Sequence, residues 1–167
     1  MRHAEVRLEA VSEPGWLKAF ILEHWGGPGV VSRGRVWCDE GLTAIRAMDK
    51  EGLAGVVSWH AGPEEWEVVT INSRQSGQGV GTRLMDAVVE LARRAGVRRL
   101  WLVTTNDNTP AMRFYEQRGF RQSAVYRDAI DVSRALKPGI PAIGLNGVPI
   151  RDEVEYELVL AGRSRAN

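Results

Sequence analysis

The stretch RQSGQGVGTRLM, residues 74–85, places three glycines at alternate positions immediately before an amphipathic run. Glycine loses much conformational entropy on folding and adds no side chain to a core, so its use here needs a reason. It leaves the main-chain N–H groups at the start of a helix uncovered, where free donors and the helix dipole favour an anion. The stretch therefore predicts an anion-binding loop, which comprises Gly77, Gln78, Gly79, Val80, Gly81 and Thr82.

The composition is that of an ordinary globular protein. The 167 residues are 44% hydrophobic and 26% charged, with a formal net charge of +1. This length fits one domain, residues 1–167. A net charge so close to zero does not indicate binding to nucleic acid or to an anionic membrane. The one cysteine, Cys38, allows no intramolecular disulfide and favours a reducing compartment. With neither a signal-peptide core in residues 1–14 nor a membrane-length apolar run, we expect a cytoplasmic protein.

Strands and helices alternate on both sides of the loop, which predicts a mixed α/β (α+β) fold. WEVVTINS (66–73) is a β-branched strand that leads into the loop, and GTRLMDAVVELARRAG (81–96) has the periodicity of a helix. TAIRAMDKEGLAGVVSWHAG (43–62) predicts a hairpin that turns at DKEG. The buried stripe of the helix is expected to comprise Leu84, Val88, Leu91 and Ala95.

The C-terminal part predicts two more strands, FRQSAVYR (120–127) and EVEYELVL (153–160). Between them, residues 131–152 form a proline- and glycine-rich inserted loop whose recurring apolar residues predict an ordered path. Alternation puts Glu153, Glu155 and Glu157 on one face of the last strand. The simplest interpretation is a solvated edge strand protected by charge. The alternative is that Asp152 and Glu153, at the start of the strand, face a cationic acceptor.

Two common phosphate-binding patterns do not fit the loop. A P-loop needs a lysine directly before its final Ser or Thr, but Gly81 precedes Thr82 here. The dinucleotide fingerprint needs a glycine at its sixth position, which Thr82 occupies when counted from Gly77. A different pattern is therefore required.

The loop and a second motif resemble those of the GNAT acetyltransferases. The family writes its loop R/Q-x-x-G-x-G/A; Gly79 and Gly81 match it, while Ser76 stands where Arg or Gln is usual. NDNTPAMRFYEQRGF (106–120) is similar to the second signature, N-x-x-A-x-x-F-Y-x-x-x-G-F. The matching residues are Asn108, Ala111, Phe114, Tyr115, Gly119 and Phe120. The tail, residues 134–158, also resembles a recurring branch of the family with an LKPxIP…DExExE pattern.

The resemblance implies the GNAT acyl-CoA N-acyltransferase fold, a central mixed, mostly antiparallel sheet with splayed strands and flanking helices. It implies acetyl-CoA as cosubstrate and no metal. The loop N–H groups suit the pyrophosphate of coenzyme A, and the strand carrying Val69 and Ile71 would pair with the two amides of its pantetheine arm. Asn108 either caps the following helix or contacts the coenzyme arm, and Ala111 and Tyr115 complete the implied coenzyme-binding residues.

Two residues are candidates for the proton transfers of acyl transfer. Tyr115 can protonate the thiolate as it leaves, unless it is a core tyrosine. Glu67 is the candidate general base, because strand alternation puts it on the face of Val69 and Ile71; the alternative is a solvated carboxylate. His60 is the reserve base. Cys38 is expected to be a small buried side chain rather than a nucleophile.

Together these features predict an N-acetyltransferase that moves the acetyl group of acetyl-CoA to a primary amine by direct attack in a ternary complex. The acceptor would be a small-molecule or peptide amine, and residues 131–152 would form one wall of its site. Two alternatives stay open: a non-catalytic CoA-binding module that senses acetyl-CoA, and an acyltransferase with another acyl-CoA or a hydroxyl acceptor. Trp25, Trp37 and Trp59 belong either to the core or to the border of the acceptor pocket. The sequence leaves the oligomeric state open, a homodimer included.

Overall fold

The computed structural model describes residues 5–160, so the two ends of the expected domain, residues 1–4 and 161–167, lie outside the described part. Five consecutive strands follow the first helix, and strands and helices alternate after them. In chain order they are β1 (Arg7–Ala10), α1 (Trp16–Trp25), β2 (Val30–Ser32), β3 (Arg35–Trp37), β4 (Leu42–Asp49), β5 (Gly52–Ala61), β6 (Glu65–Ser73), α2 (Val80–Ala95), β7 (Arg99–Thr105), α3 (Thr109–Gln117), β8 (Arg121–Tyr126), α4 (Ala129–Leu136) and β9 (Glu153–Val159). A short 3-10 turn, Leu145–Gly147, precedes β9.

Seven strands form one sheet in the order β1-β4-β5-β6-β7-β9-β8, and β2 and β3 form a separate hairpin. Every neighbouring pair in the large sheet is antiparallel except β6 and β7, which run parallel. The expected mixed, mostly antiparallel sheet is confirmed. The expected β4–β5 hairpin is also confirmed, with its turn between Asp49 and Gly52.

The parallel strands β6 and β7 are paired only at their beginnings. Glu65–Glu67 pairs with Arg99–Trp101, after which β6 continues to Ser73 and β7 to Thr105 without pairing to each other. Beyond Trp101, β7 keeps its antiparallel partner β9 on its other edge. The two strands therefore splay apart and open a gap in the sheet toward their carboxyl ends.

The helices cover both faces of the sheet. On one face, α2 packs with the buried side chains of Val57, Trp59, Val68, Leu100 and Leu102. On the other face, α1 packs with the β2–β3 hairpin and with buried residues of the first half of the sheet. The buried residues of α2 are Val80, Leu84, Met85, Val88 and Ala92.

The stripe expected for α2 is correct at Leu84 and Val88 and wrong at its end. Ala95 is exposed and Leu91 is only partly buried, whereas Ala92 is fully buried. Ala95 is the last residue of α2, because Gly96 closes the helix in a left-handed conformation with φ 74°. Ala92, three positions earlier, is the last buried residue of the helix.

The interpretation of β9 as a solvated edge strand is wrong. β9 lies between β7 and β8, and the side chains of Glu153 and Glu155 are buried. Edge protection is consequently not their role, because β8 occupies the edge. Buried carboxylates require hydrogen-bonding or charged partners, and the neighbouring strands supply these, as described below.

Candidate active site

A cavity of about 720 Å³ lies between the splayed strands and extends to the start of α2, to α3 and to the residues between β8 and β9. Ten of the twelve residues predicted for the site line it: Val69, Ile71, Gly77, Gly79, Val80, Gly81, Thr82, Asn108, Ala111 and Tyr115. Gln78 and Glu67 are not among the lining residues. The side chain of Gln78 is exposed and bonds to Gln75.

The loop before α2 exposes main-chain N–H groups to the cavity. Gly79 is the N-cap with φ 79°, no side chain caps the helix, and the first helical bond runs from Arg83 N to Gly79 O. The N–H groups of the preceding three residues, 80–82, thus have no helical partner. Gly77 shares the left-handed conformation of Gly79, which side chains other than glycine rarely adopt. The combination suits an anion at the helix N-terminus.

A β-bulge interrupts β6 beside the cavity. Ser58 pairs with Thr70 and Trp59 pairs with Val68, so Val69 has no partner on β5. The bulge breaks the alternation that was assumed for this strand. Val69 packs with the cluster on the α1 face, whereas Ile71 packs against the cluster on the α2 face. The expectation that Glu67, Val69 and Ile71 share one face is therefore wrong for Ile71.

Tyr115 reaches the cavity from α3. The residue is 8% exposed, and its ring packs against Phe114, Phe120 and Tyr156 at centroid distances of 5.6, 6.1 and 6.0 Å. Burial raises the pKa of Tyr115 to about 12. The hydroxyl therefore stays protonated at neutral pH and can only act as a proton donor.

Asn108 and Asp107 organise the beginning of α3. The side-chain oxygen of Asn108 accepts a hydrogen bond from Ala111 N at 3.3 Å, so its capping role is present. Asn108 also lines the cavity. The buried carboxylate of Asp107 accepts hydrogen bonds from Thr105 Oγ1 at 2.5 Å and from Leu145 N at 3.0 Å. These bonds connect the β7–α3 turn with the segment that precedes β9.

Glu67 lies on β6 at the point where β6 and β7 part. Its side chain is buried, and its Oε1 accepts a hydrogen bond from Ser32 Oγ at 2.5 Å. Burial raises the pKa of Glu67 to about 7, helped by the negative charges of Glu153 and Glu155; the Ser32 bond and the charge of Arg35 oppose that rise. The alternative of a solvated carboxylate is wrong, and a base with this pKa is half ionised near neutral pH.

The inserted segment is an ordered part of the cavity wall. α4 begins at Ala129, before the expected start of the insertion, and the residues after it fold back through an isolated bridge between Ile143 and Pro149. The guanidinium of Arg134 donates to three main-chain oxygens of this segment. The residues of α4 and the insertion that line the cavity are Ile130, Ser133, Lys137, Ile140 and Ile150.

The sequence matches the Acetyltransferase (GNAT) family over residues 16–120. The chain belongs to the GNAT acetyltransferase family. It is 36% identical over 146 residues to the uncharacterized protein YdhI of Bacillus subtilis, which covers 86% of this chain and 91% of that protein. The streptothricin acetyltransferase of Streptomyces lavendulae is 35% identical over 80 residues, 45% of this chain and 42% of that protein. An acetyltransferase of Bacillus subtilis solved with CoA shares the fold, with a TM-score of 0.74, 24% identity and coverage of 93% and 99%.

The glutamates of β9 give this acetyltransferase a buried acidic cluster beside Glu67. Glu153 accepts a hydrogen bond from Arg33 N at 3.0 Å. Glu155 accepts from Ser123 Oγ at 2.6 Å, from Tyr126 Oη at 3.0 Å and from Arg99 at 3.2 Å. Of the two, Glu153 also lines the cavity. Asp152 does not, and its carboxylate accepts a hydrogen bond from Asp128 N at 2.9 Å.

The remaining candidates lie away from the reacting groups or serve the core. The ring of His60 packs at a tilt against that of Trp37, with 5.1 Å between the ring centroids, and His60 does not line the cavity. Trp37 and Trp59 are buried in the two cores, whereas Trp25 lines the cavity and donates from Nε1 to Asn72 Oδ1 at 3.1 Å. Cys38 is partly buried against the α1-side core.

Two residues that line the cavity of this acetyltransferase, Ser32 and Lys137, were not predicted from the sequence. Ser32 ends β2, a strand that the sequence pattern did not predict, and the two central residues of the hairpin turn, Arg33 and Gly34, both have positive φ. Two short β-branched runs around an Arg-Gly pair are a usable signal for such a turn. Lys137 gives no comparable signal, because its partners lie 108 and 112 residues away along the chain.

Two features are absent from residues 5–160, the part of the chain that the structure describes. Within this range, no helix is both long and apolar enough to cross a membrane. The same range contains no group of three or more His, Cys, Asp or Glu side chains arranged to hold a metal ion.

Proposed function

We propose that this protein transfers the acetyl group of acetyl-CoA to a primary amine by direct attack in a ternary complex. One observation carries the proposal: a single cavity joins the start of α2, with its free N–H groups, to the unpaired edge of β6 and to Tyr115. On its other side the same cavity is lined by Ser32 and Glu153. Membership of the GNAT family supports an acyl transfer in that cavity.

The coenzyme would occupy the part of the cavity near α2. Its pyrophosphate suits the N–H groups of residues 80–82. Because β7 leaves β6 after Glu67, the edge of β6 from Val68 to Ser73 is open to the amides of the pantetheine arm, which can add to it like a strand. The Bacillus subtilis structure with CoA and the shared fold support this placement.

The thioester would lie near the bulge at Val69. A bulge turns main-chain groups out of the regular ladder, and an N–H that points into the cavity there can donate to the thioester oxygen as negative charge develops on it. The amine nitrogen attacks the carbonyl carbon, the C–S bond breaks, and the sulfur takes a proton from Tyr115. The proton that the nitrogen loses as it becomes an amide then returns to Tyr115. Burial raises the pKa of Tyr115 to about 12, so the hydroxyl carries its proton at neutral pH when the thiolate forms.

The amine would enter from the wall that α4 and the inserted segment form. It must lose a proton before it attacks, because amines with a pKa near 10 are protonated at neutral pH. Glu67, whose pKa lies at about 7, is the general base. Glu153 adds a buried carboxylate to this side of the cavity, which favours a cationic acceptor.

The decisive experiment measures binding and transfer separately. Acetyl-CoA affinity is measured by calorimetry, and turnover is measured by thiol release with a panel of putrescine, glucosamine, glycinamide and lysine, with mass spectrometry of the products. We expect tight acetyl-CoA binding and N-acetylation of at least one amine. Tight binding without any transfer would favour the sensing module, and an O-acetylated product would favour a hydroxyl acceptor.

A further inference from the structure

The side chain of Ser32 separates Glu67 from the cavity. Ser32 is 4% exposed and Glu67 is 7% exposed, and they are joined by the 2.5 Å hydrogen bond from Ser32 Oγ to Glu67 Oε1. Among the described residues, Ser32 lines the cavity and Glu67 does not. An amine in the cavity therefore meets the serine hydroxyl before the carboxylate that has to accept its proton.

The backbone around Ser32 holds this hydroxyl in place from two directions. In the β2–β3 hairpin, Ser32 pairs with Arg35 across the turn. The next residue, Arg33, donates its N–H to Glu153 at 3.0 Å, and its guanidinium lies 3.2 Å above the ring centroid of Tyr126. The hairpin turn is thus tied to β8 and β9, and Ser32 Oγ has a fixed position between the cavity and β6.

We propose that Ser32 is a catalytic proton relay between the acceptor amine and Glu67. This inference rests on the proposed function and goes beyond it. The ammonium gives a proton to Ser32 Oγ while the serine hydroxyl gives its own proton to Glu67 Oε1, so that serine stays neutral, Glu67 becomes a neutral acid and the amine is free. The nitrogen lone pair then forms the C–N bond, the C–S bond breaks, and the sulfur takes the proton of Tyr115. The second proton that the nitrogen loses returns to Tyr115, so that Glu67 holds the one net proton that the reaction releases.

The groups around Glu67 give the relay a distinct signature in the pH profile. Glu67 has four charged or titratable neighbours, which are Arg35 on β3, Glu153 and Glu155 on β9, and His60 opposite on β5. All four remain present when Ser32 is replaced. The Ser32 bond lowers the pKa of Glu67, so its loss moves the acidic limb of the profile to higher pH. A serine that only tunes the carboxylate would shift this limb and leave the plateau rate intact. A relay lowers the plateau as well.

The test compares Ser32→Thr with Ser32→Val, which have the same shape and differ in the hydroxyl. Acetyl-CoA affinity, thermal stability and the pH dependence of kcat and kcat/KM are measured on the full chain, with the fastest amine of the panel as acceptor. We expect Ser32→Thr to retain most of the plateau rate and Ser32→Val to lose about ten- to a hundredfold, with acetyl-CoA affinity unchanged in both.

Two further variants separate this inference from the assignment of the base. Ser123→Ala removes another serine–glutamate bond, from Ser123 Oγ to Glu155 Oε2, and should leave the plateau rate unchanged. Glu67→Gln should remove activity whether or not the relay exists. If Glu67→Gln is inactive while Ser32→Val keeps the plateau rate of Ser32→Thr, the relay is wrong and the base stands. If Glu67→Gln remains active, Glu67 is not the general base, and the relay through Ser32 is wrong as well.

Discussion

The ammonium group of Lys137 donates a hydrogen bond to the main-chain oxygen of Gly29 at 2.7 Å, and it also donates to that of Trp25. Trp25 is the last residue of α1, where free carbonyl groups and the helix dipole favour a cation. Because Lys137 and Trp25 both line the cavity, this contact joins the inserted segment to the end of α1 within the cavity wall.

Replacing Lys137 with methionine keeps the apolar stem and removes the two hydrogen bonds. We expect a loss of stability on the order of 1–3 kcal/mol, because buried carbonyls lose their donor. The order of preference among the panel amines should change while acetyl-CoA affinity stays the same. The control is Lys50→Met in the exposed β4–β5 turn. Unaltered amine preference in Lys137→Met would remove the inserted segment from the acceptor wall.

Gly81→Val tests the pyrophosphate site. A Cβ at Gly81 would lie 3.5 Å from the ring of Phe114, an ordinary contact, so the fold should tolerate a side chain there. We expect acetyl-CoA affinity to fall at least tenfold with little change in melting temperature, because the side chain crowds the free N–H groups. Gly139→Val, where a Cβ meets nothing within 4 Å, is the control. Gly79→Val is a poorer test, because φ 79° strains any β-branched residue.

Tyr115→Phe removes one hydroxyl and keeps the ring packing. Turnover should fall roughly ten- to a thousandfold while acetyl-CoA affinity persists, since the hydroxyl acts on the leaving sulfur. Tyr156→Phe is the matched control. The ring centroid of Tyr156 lies 6.0 Å from that of Tyr115, and the Tyr156 hydroxyl donates a hydrogen bond to Glu116 at 3.1 Å. A change confined to KM in Tyr115→Phe would mean that the residue only packs.

Glu67→Gln should separate activity from stability. The pKa of Glu67 is raised from 4.5 to about 7, so the folded protein binds this proton more tightly than the unfolded chain and loses stability as pH rises across that interval. We therefore expect Glu67→Gln to gain melting temperature relative to the parent as pH rises from 5 to 8, on the order of 5 °C, while it loses activity.

Glu157→Gln should change the pH dependence of stability in the opposite direction to Glu67→Gln. Arg99 and Arg121 hold the pKa of Glu157 below its usual value, so its carboxylate contributes stability above the unfolded pKa, which is lost as pH falls. This variant should be less stable than the parent at pH 8 and approach it in acid. Parallel pH dependence in both variants would contradict the assigned environments.

Glu153→Gln tests the charge preference of the acceptor wall. The buried carboxylate lines the cavity, so its neutralisation should raise KM for the dication putrescine about tenfold and raise it less for glycinamide, with acetyl-CoA affinity unchanged. Asp152→Asn, whose side chain bonds to Asp128 N, is the control. Equal effects on both amines would show that Glu153 serves the fold rather than the acceptor.

The sequence by itself determined the parts of the site that depend on local chemistry. Glycines before an apolar helical run produced the uncapped start of α2, and Asn108 before Thr109 and Pro110 produced the capped start of α3. These features need only the conformational preferences of a few adjacent residues. The β4–β5 turn followed for the same reason, whereas the position of Tyr115 at the cavity followed from the resemblance of residues 106–120 to the second motif of the family.

The tertiary structure decided where the charges lie and which groups share a proton. β9 enters between β7 and β8, so glutamates that alternate like a solvated face are buried against Arg33 and Arg99. The bond between Ser32 and Glu67 spans 35 residues, and the bulge at Val69 depends on pairing with β5. Strand order and register are set by long-range packing, because a strand's own alternation states which residues share a face but not what covers that face.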